Sequence, residues 1–363
     1  MDKILYIMHV DWHWIKQRPH FVAEGLSSDF DLVVLHPHNN RRTNLVSNRS
    51  NLTRVPILSL PFSRLKGISF INACIREFYI FLLILFFRPS IVWVTFPTLI
   101  SKIGLRMLKN TVIIYDCMDD AQEFSKDEVR NKYISNSEKA LLGVADIVFV
   151  SSENLYNKVL GRGASANKLA LVRNAFGGTI CAETTTSIVS GKPKDSFRIL
   201  YIGTISDYID FNLLLYCVDS LNGVEFHFFG PVLVDVPAHD RLKFHGTIEH
   251  SSLSSRAHKF DCFIMPFVTN ELIQGVDPVK IYEYINLNKN IICPYYKEID
   301  RFSEFVSFYK DRNGFVEIVK CLVVDNKTKY TLNQRSLFLN DNSWEVRLNQ
   351  ISKSINECLR LKS

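Results

Sequence analysis

Asp277, Pro278, Lys280 and Glu283 stand together in the run GVDPVKIYEYINLNKNIICP, residues 275–294, and their spacing can do chemistry. Pro is favoured at the first helical position and Asp is a good N-cap, so the run predicts a helix opening at Asp277-Pro278. Lys280 then falls in the first turn, where the helix dipole disfavours a cation. Glu283 follows three residues on, on the same side. A basic side chain added to the free N–H groups of a helix start makes an anion site, and phosphate suits it. The bland reading of the same spacing is a solvated Lys–Glu pair on a surface helix, which contributes little.

Three glycine-bearing turns add to this run. Gly203 and Thr204 lie in YIGTISDYIDF, Gly230 in HFFGPV and Gly246 in FHGTIE, each just after a strand-like stretch. A small turn lets backbone N–H groups approach a phosphate, and a flat base can lie against it. With Asp277, Lys280 and Glu283 these turns outline a nucleoside-diphosphate site. In it Lys280 neutralises the diphosphate and Glu283 accepts hydrogen bonds from the ribose hydroxyls. No G-x-G-x-x-G is present, which argues against a dinucleotide oxidoreductase.

The first half of the chain carries two further constellations. HVDWHWIKQRPH crowds His9, Asp11, His13, Arg18 and His20 round Trp12 and Trp14. Such a loop can hold an acceptor by stacking and ionic contacts, with His13, Trp14, Arg18 and His20 as the candidates. Alternatively, Trp12 and Trp14 merely plug the floor between two domains. DCMDDAQEF brings Asp116, Asp119 and Asp120 to a strand end. Carboxylates there can act as general base on a sugar hydroxyl, ligate a cation bound to phosphate, or cap the next helix. In VSSENL, Ser151 or Ser152 with a downstream acid reads as a capping box.

Strand-like runs alternate with helix-length segments throughout, which is what positions these loops. KILYIMHV, DLVVLHP, IVWVTFP, TVIIYDCMDD, ADIVFVSS and KLALVRNAF alternate with helices expected near 17–27, 65–87, 98–109, 126–143 and 153–162. That is the signature of a parallel sheet with helices on both faces. The polar, aperiodic stretch 177–196 reads as a linker. The alternation then restarts with FRILYIGTI, VEFHFFGPV, LKFHGTI, DCFIMPF and NIICPYY, and with helices near 209–221, 249–259 and 278–288. The expected organisation is an N-terminal Rossmann-like domain over 1–176, a C-terminal one over 197–340, and a helix over 341–363 packing towards the first. Two doubly wound domains facing across a cleft place ligands at the carboxyl ends of the strands.

Composition agrees with this reading. A chain of 363 residues suits two domains, and 47% hydrophobic with 22% charged residues is ordinary for a globular protein. The net charge of +6 fits anionic substrates or an anionic membrane surface, and no long basic block argues for nucleic acid. Eight cysteines without a C-x-x-C pair read as reduced, buried thiols in a cytoplasmic protein, with neither disulfides nor a zinc site. The N-terminus has too short an apolar run for a signal peptide and reads as a first strand. FYIFLLILFF, residues 78–87, is about half a bilayer span. It is expected as a buried helix on a sheet, or else as a helix face resting in the membrane interface, helped by Arg64, Lys66, Arg76 and Arg88 on anionic lipid.

WIKQRPHFVAEGL, VIIYDCMDD, LYIGTI, GVDPVKIYEYINLNKNII and SWEVRLNQI together resemble the bacterial GT-B glycosyltransferases. The likeness is to the family-4-type enzymes of cell-surface polysaccharide synthesis, O-antigen or capsule, including the teichuronic acid glycosyltransferases. It covers nearly the whole chain, and the fourth motif is the most specific. In that family two glutamates eight positions apart flank the fourth motif, and the second binds the donor ribose. Glu283 matches the second, whereas Gly275 stands in place of the first, with Asp277 or Glu271 as possible substitutes. The family's Arg and Lys after the YIG strand are missing from GTISDYIDF. Lys280 is therefore the cation left for the diphosphate, as in similar glucuronosyltransferases of exopolysaccharide synthesis. A retaining mechanism of this family needs no protein base; an inverting one would use Asp119 or Asp120.

The resemblance implies a hexosyltransferase-type enzyme with a nucleoside-diphosphate sugar as co-substrate; no divalent metal is required if Lys280 and the helix start carry the charge of the diphosphate. Its acceptor would be a glycan, oligosaccharide or lipid-linked, met at the cytoplasmic face of the membrane; separately, the apolar run and basic residues of 65–88 would give peripheral contact with an anionic membrane. The rival readings are a nucleotide-sugar epimerase of the same plan and a non-catalytic sugar-nucleotide-binding subunit.

Overall fold

Thirteen strands form among the described residues, and every strand pairing is parallel. The structure is a computed structural model that describes residues 1–14, 16–38, 52–61, 65–108, 110–125, 127–181, 196–247 and 255–362. Most of the expected linker, the start of the helix expected near 249–259, and the side chains of Arg64 and Lys66 lie outside that description. Two compact units divide the chain, Met1–Asn174 with Trp344–Ser363, and Ala175–Ser343.

The first unit is built on a seven-stranded sheet in the order β3-β2-β1-β4-β5-β6-β7. Its strands are β1 (Lys3–Ile7), β2 (Asp31–Pro37), β3 (Thr53–Ile57), β4 (Ile91–Val94), β5 (Val112–Cys117), β6 (Ile147–Val150) and β7 (Leu169–Leu171). The central strands β1 and β4 pair from Ile4↔Ile91 to Ile7↔Val94, and Ile4, Leu5, Tyr6, Ile7 and all of IVWV are buried. Covering both faces of a parallel sheet requires such unbroken apolar runs, which is why these strands are legible in the sequence. The strand order reverses between β1 and β4. Their following loops therefore diverge and open a crevice.

The second unit carries a six-stranded sheet in the order β10-β9-β8-β11-β12-β13. Its strands are β8 (Phe197–Ile202), β9 (Val224–Phe229), β10 (Leu242–Phe244), β11 (Cys262–Ile264), β12 (Asn290–Pro294) and β13 (Val306–Tyr309). Here the order reverses between β8 and β11.

Several expectations are corrected. The edge strands β3 and β13 escape the sequence pattern: β3 carries Pro56 and buries only Ile57, since an edge strand need not hide both faces. The helix expected near 98–109 is a short turn Pro97–Leu99 and a separate helix Lys102–Arg106, restarted where the Ser101 side chain accepts from the Gly104 N–H. The first segment of the first unit runs to Asn174, and the chain returns to that unit at Trp344. Residues 177–181 belong to the second unit and not to a linker: the Phe176 N–H donates to the Asn342 carbonyl, the Cys181 N–H to Asn286 Oδ1, and Arg335 to the Cys181 carbonyl. Not all thiols are buried, because Cys74 and Cys321 sit on exposed faces of their helices. The helix expected near 65–87 forms as Lys66–Phe87, but it is not the buried helix expected: among its large side chains only Ile80 is fully buried.

Candidate functional site

In the second unit, the glycines picked from the sequence fall in one row across three adjacent strand ends. Gly203 follows β8, Gly230 follows β9 and Gly246 lies just past β10. The Gly203 N–H donates to the Phe229 carbonyl at 2.8 Å, and the Gly230 N–H to the Gly246 carbonyl at 2.8 Å. At Gly230 a Cβ would stand 1.9 Å from the Gly203 oxygen, so only glycine allows the two loops to touch. The Thr204 carbonyl accepts from the Tyr201 and Tyr208 hydroxyls, at 2.9 and 2.7 Å, which pins the loop after β8.

Lys280 lies against Gly203, at one end of this row. A Cβ on Gly203 would meet Lys280 Cε at 2.2 Å and Nζ at 2.9 Å. The ammonium stands 6.0 Å from the Tyr201 ring centroid. Burial pushes the Lys280 ammonium below its ordinary pKa, and the carboxylate of Glu283 pulls it back up. The helix Val279–Asn286 holds both residues in place through Tyr284. That ring stacks on Phe263 of β11 at 4.5 Å, and its hydroxyl accepts from the Ile202 N–H at 2.9 Å. A cation, free N–H groups of a helix start and a bare glycine backbone thus converge at the point where the strand order reverses.

Asp277 is a correction. The N-cap of the helix is Pro278, without a side-chain cap, and Asp277 is buried in an ion pair with Arg301, which also reaches the Tyr282 hydroxyl. A buried carboxylate is held only with such a partner. Arg301, far along the chain, gave no sign in the sequence of belonging here. Glu271 sits exposed in the short helix Glu271–Gln274.

In the first unit the structure separates the candidates sharply. Arg18 is 1% exposed, and its guanidinium is committed to Asp116, with Nε 3.0 Å from Oδ1 and a further N–H donated to the Val172 carbonyl at 2.7 Å. His20 is fully buried: its Nδ1 accepts from the Gln17 N–H at 3.1 Å, so Nε2 carries the proton towards the Trp12 carbonyl. Burial holds this imidazole below its ordinary pKa. Asp120 is locked by Arg162 at 2.8 Å and Lys158 at 3.1 Å, and caps the turn at Gln122. Arg18 and Asp120 are therefore held by ion pairs to residues distant in sequence, and His20 by its own loop at Gln17 and Trp12.

What remains at the strand ends is a smaller set. Asp119 keeps part of its surface open. Its carboxyl is pushed up to about 7, chiefly by burial and further by Asp116 and Asp120, against the opposing pull of Arg18. The Asp120–Arg162–Glu138 pairs and the bond from the Ser151 hydroxyl to the Met118 carbonyl at 2.7 Å hold its loop. His13 is half-buried, and its ring meets those of His36 and His38 at 5.9 and 5.8 Å. The Nδ1 atoms of His13 and His38 are buried and have no hydrogen-bond partner among the described residues. Trp14 is half-buried, its backbone N–H donating to the Asp11 carbonyl, while Trp12 is wholly buried. His9 bonds Thr95 through Nδ1 at 2.9 Å, and burial pulls its pKa down to about 4. His36, His38 and Thr95 join the group only through strand pairing. Ser152, not Ser151, caps the helix Glu153–Gly161. Among the described residues no group of three or more His, Cys, Asp or Glu could hold a metal ion.

No protein-family model and no curated protein matches the chain. Solved structures do. Sucrose-phosphate synthase from Thermosynechococcus elongatus aligns over 99% of this chain and 100% of its own, at TM-score 0.76 and 12% identity. HepE of Anabaena, solved with UDP and glucose, aligns over 98% and 100% at 0.70 and 10% identity. The lipopolysaccharide outer core galactosyltransferase WaaB aligns over 99% and 100% at 0.62 and 14%. The chain has the GT-B fold. The two Rossmann-like units of this GT-B chain therefore keep the parallel α/β architecture expected from its alternating runs.

Proposed function

We propose that the chain is a glycosyltransferase that moves a sugar from a nucleoside-diphosphate sugar to a hydroxyl of a glycan acceptor, carried on a lipid, at the cytoplasmic face of a membrane. The observation that carries this reading is Lys280 packed against Gly203 after β8, where the second sheet reverses its order. A donor diphosphate placed there meets a partly desolvated cation and the N–H groups of a helix start. Both stabilise charge that grows as the sugar–phosphate bond breaks. Glu283, three residues on, is suited to the ribose hydroxyls. Those groups carry the leaving charge without a divalent ion. That HepE was solved with UDP and glucose, and that WaaB is named a galactosyltransferase, supports the same reading.

In the first unit Asp119 is the group we assign as base. A carboxyl with a pKa near 7 can take the acceptor hydroxyl's proton while the new bond forms to the anomeric carbon. This favours an inverting displacement. His13 and Trp14 are retained as acceptor contacts. The test is turnover of UDP-, GDP-, ADP- and dTDP-sugars with and without lipid-linked oligosaccharide. Nucleotide release that requires the acceptor is the expected result. Conversion of the nucleotide sugar alone would make the protein an epimerase, and binding without turnover would make it a non-catalytic subunit.

A further inference from the structure

The helix Lys66–Phe87 turns its apolar side outwards. Along it Gly67, Ile71, Cys74, Phe78, Phe81, Leu85 and Arg88 recur every three or four residues and are all exposed. Phe78 is 59% exposed, and Phe70 and Phe86, flanking this stripe, are 71% and 77%. An outward apolar face of this length belongs in a core or against lipid, and this helix is not in the core: among its large side chains only Ile80 is fully buried. The surface continues onto the helix Lys102–Arg106, where Ile103 is 73% exposed and Met107 follows. Phe78, Phe81, Ile84, Ile103, Gly104 and Met107 line a groove of about 250 Å³ between the two helices.

Charge identifies what covers this face. Residues 65–107 contain five basic residues, Lys66, Arg76, Arg88, Lys102 and Arg106, and one carboxylate, Glu77. Glu77 is occupied in accepting from the Ser101 N–H and hydroxyl, at 2.7 and 2.8 Å. Arg88, Lys102 and Arg106 are exposed at the rim. An apolar face edged by cations suits the headgroup–acyl boundary of an anionic bilayer.

The segment Gly67–Phe87 is long and apolar enough to cross a membrane. It nonetheless connects β3 to β4 of one parallel sheet, and Ile75, Tyr79, Ile80, Leu83, Ile84 and Phe87 pack on that unit's core. Spanning would put β3 and β4 on opposite sides of the bilayer and tear the sheet. We infer that the helices Lys66–Phe87 and Lys102–Arg106 form one in-plane docking surface for an anionic lipid bilayer. The helix Lys102–Arg106 leaves the carboxyl end of β4, at the same edge of the sheet as the loop bearing Asp119. The surface would thus hold the acceptor side at the membrane. This deepens the lipid-linked acceptor of the reading above and rests on that reading only for its purpose.

The experiment is flotation of the whole chain with vesicles of phosphatidylcholine and phosphatidylglycerol in equal parts, and with phosphatidylcholine alone, at low salt. The chain should float with the anionic vesicles and much less with the neutral ones. Phe70→Ser/Phe78→Ser/Phe81→Ser should lower binding at least about tenfold with an unchanged melting curve. As a readout that keeps the face intact, the indole emission added by Phe78→Trp should be quenched by brominated lipid. A wild-type chain left at the bottom of the anionic gradient, with the emission added by Phe78→Trp unquenched, would overturn the proposal. So would a dimer in lipid-free buffer that the triple substitution dissolves, since a second copy would then cover the face. A UDP thermal shift measured on the same samples keeps the two readings apart. Its loss would strike the donor site and leave the membrane result standing.

Discussion

Lys280 fills the space that a side chain on Gly203 would need: Cε lies 2.2 Å, and Nζ 2.9 Å, from where a Cβ would be. The backbone there has φ +145°, which L side chains rarely adopt. Gly203→Ala should therefore dislodge the ammonium and strain the loop, at about 1–3 kcal/mol in stability, with nucleotide binding lost. Lys280→Ala should keep the fold and reduce turnover ~10²-fold, as removal of one stabilising contact to developing charge does. Turnover within about twofold of wild type would refute the assignment.

Glu283→Ala separates a donor site from a helix that serves packing alone. A nucleotide at ~100 times its dissociation constant adds about 2.7 kcal/mol of stability. One of UDP, GDP, ADP, dTDP or CMP should raise the melting temperature of the wild type by several degrees and leave the variant unmoved. No shift with any of the five would leave the helix Val279–Asn286 a packing element of the second unit and remove the donor-site assignment.

Asp119 makes a pH prediction of definite sign. Its folded-state pKa of about 7 lies above the ordinary 3.8, so folding favours the protonated form. Its contribution to stability is present below the ordinary value and is lost as pH rises towards 7. Asp119→Asn should accordingly raise the melting temperature at pH 8 by a few degrees and leave it nearly unchanged at pH 4. Transfer, which needs the carboxylate, should rise through pH 7 in the wild type and fall at least ~10²-fold in Asp119→Asn.

Arg18 and Asp116 should behave as a buried pair. Arg18→Ala strands a carboxylate in the interior of the first unit and should cost about 3–5 kcal/mol in its urea transition. Arg18→Met with Asp116→Leu should cost clearly less, because both charges leave together. A mild effect from Arg18→Ala, together with weakened acceptor binding, would restore this residue to the acceptor site.

Gly25 is where the helix Arg18–Leu26 meets the helix Trp344–Lys362. A Cβ there would stand 2.1 Å from Leu348 Cδ1, beside the stacked rings of Phe21 and Trp344. Gly25→Ala should destabilise the first unit by about 1–3 kcal/mol. Adding Leu348→Ala should recover part of that loss, which a double-mutant cycle would read.

Much of the fold was legible because buried parallel strands need unbroken apolar runs, and the runs at 4–7, 91–94 and 199–201 supply them. The edge strands β3 and β13 were not, since half-exposed strands carry no such demand. Of the site, Gly203, Gly230 and Lys280 were legible through residue type and position at strand ends. That Asp277, Arg18 and Asp120 are closed in ion pairs was not legible. The sequence shows that a charged or polar residue lies near a loop but not which partner closes over it.

The sequence by itself determined the alternation of strands and helices, the strand-end loops and the basic helix start. These follow from periodicity, capping and turn chemistry, all local along the chain. Only the tertiary structure decided which ionisable groups remain for chemistry. Arg301, Arg162 and Asp116 come from distant segments to neutralise Asp277, Asp120 and Arg18. Burial without full neutralisation is what leaves Asp119 near 7 and Lys280 below its ordinary value. Desolvation depends on everything packed around a group, and no local spacing encodes it.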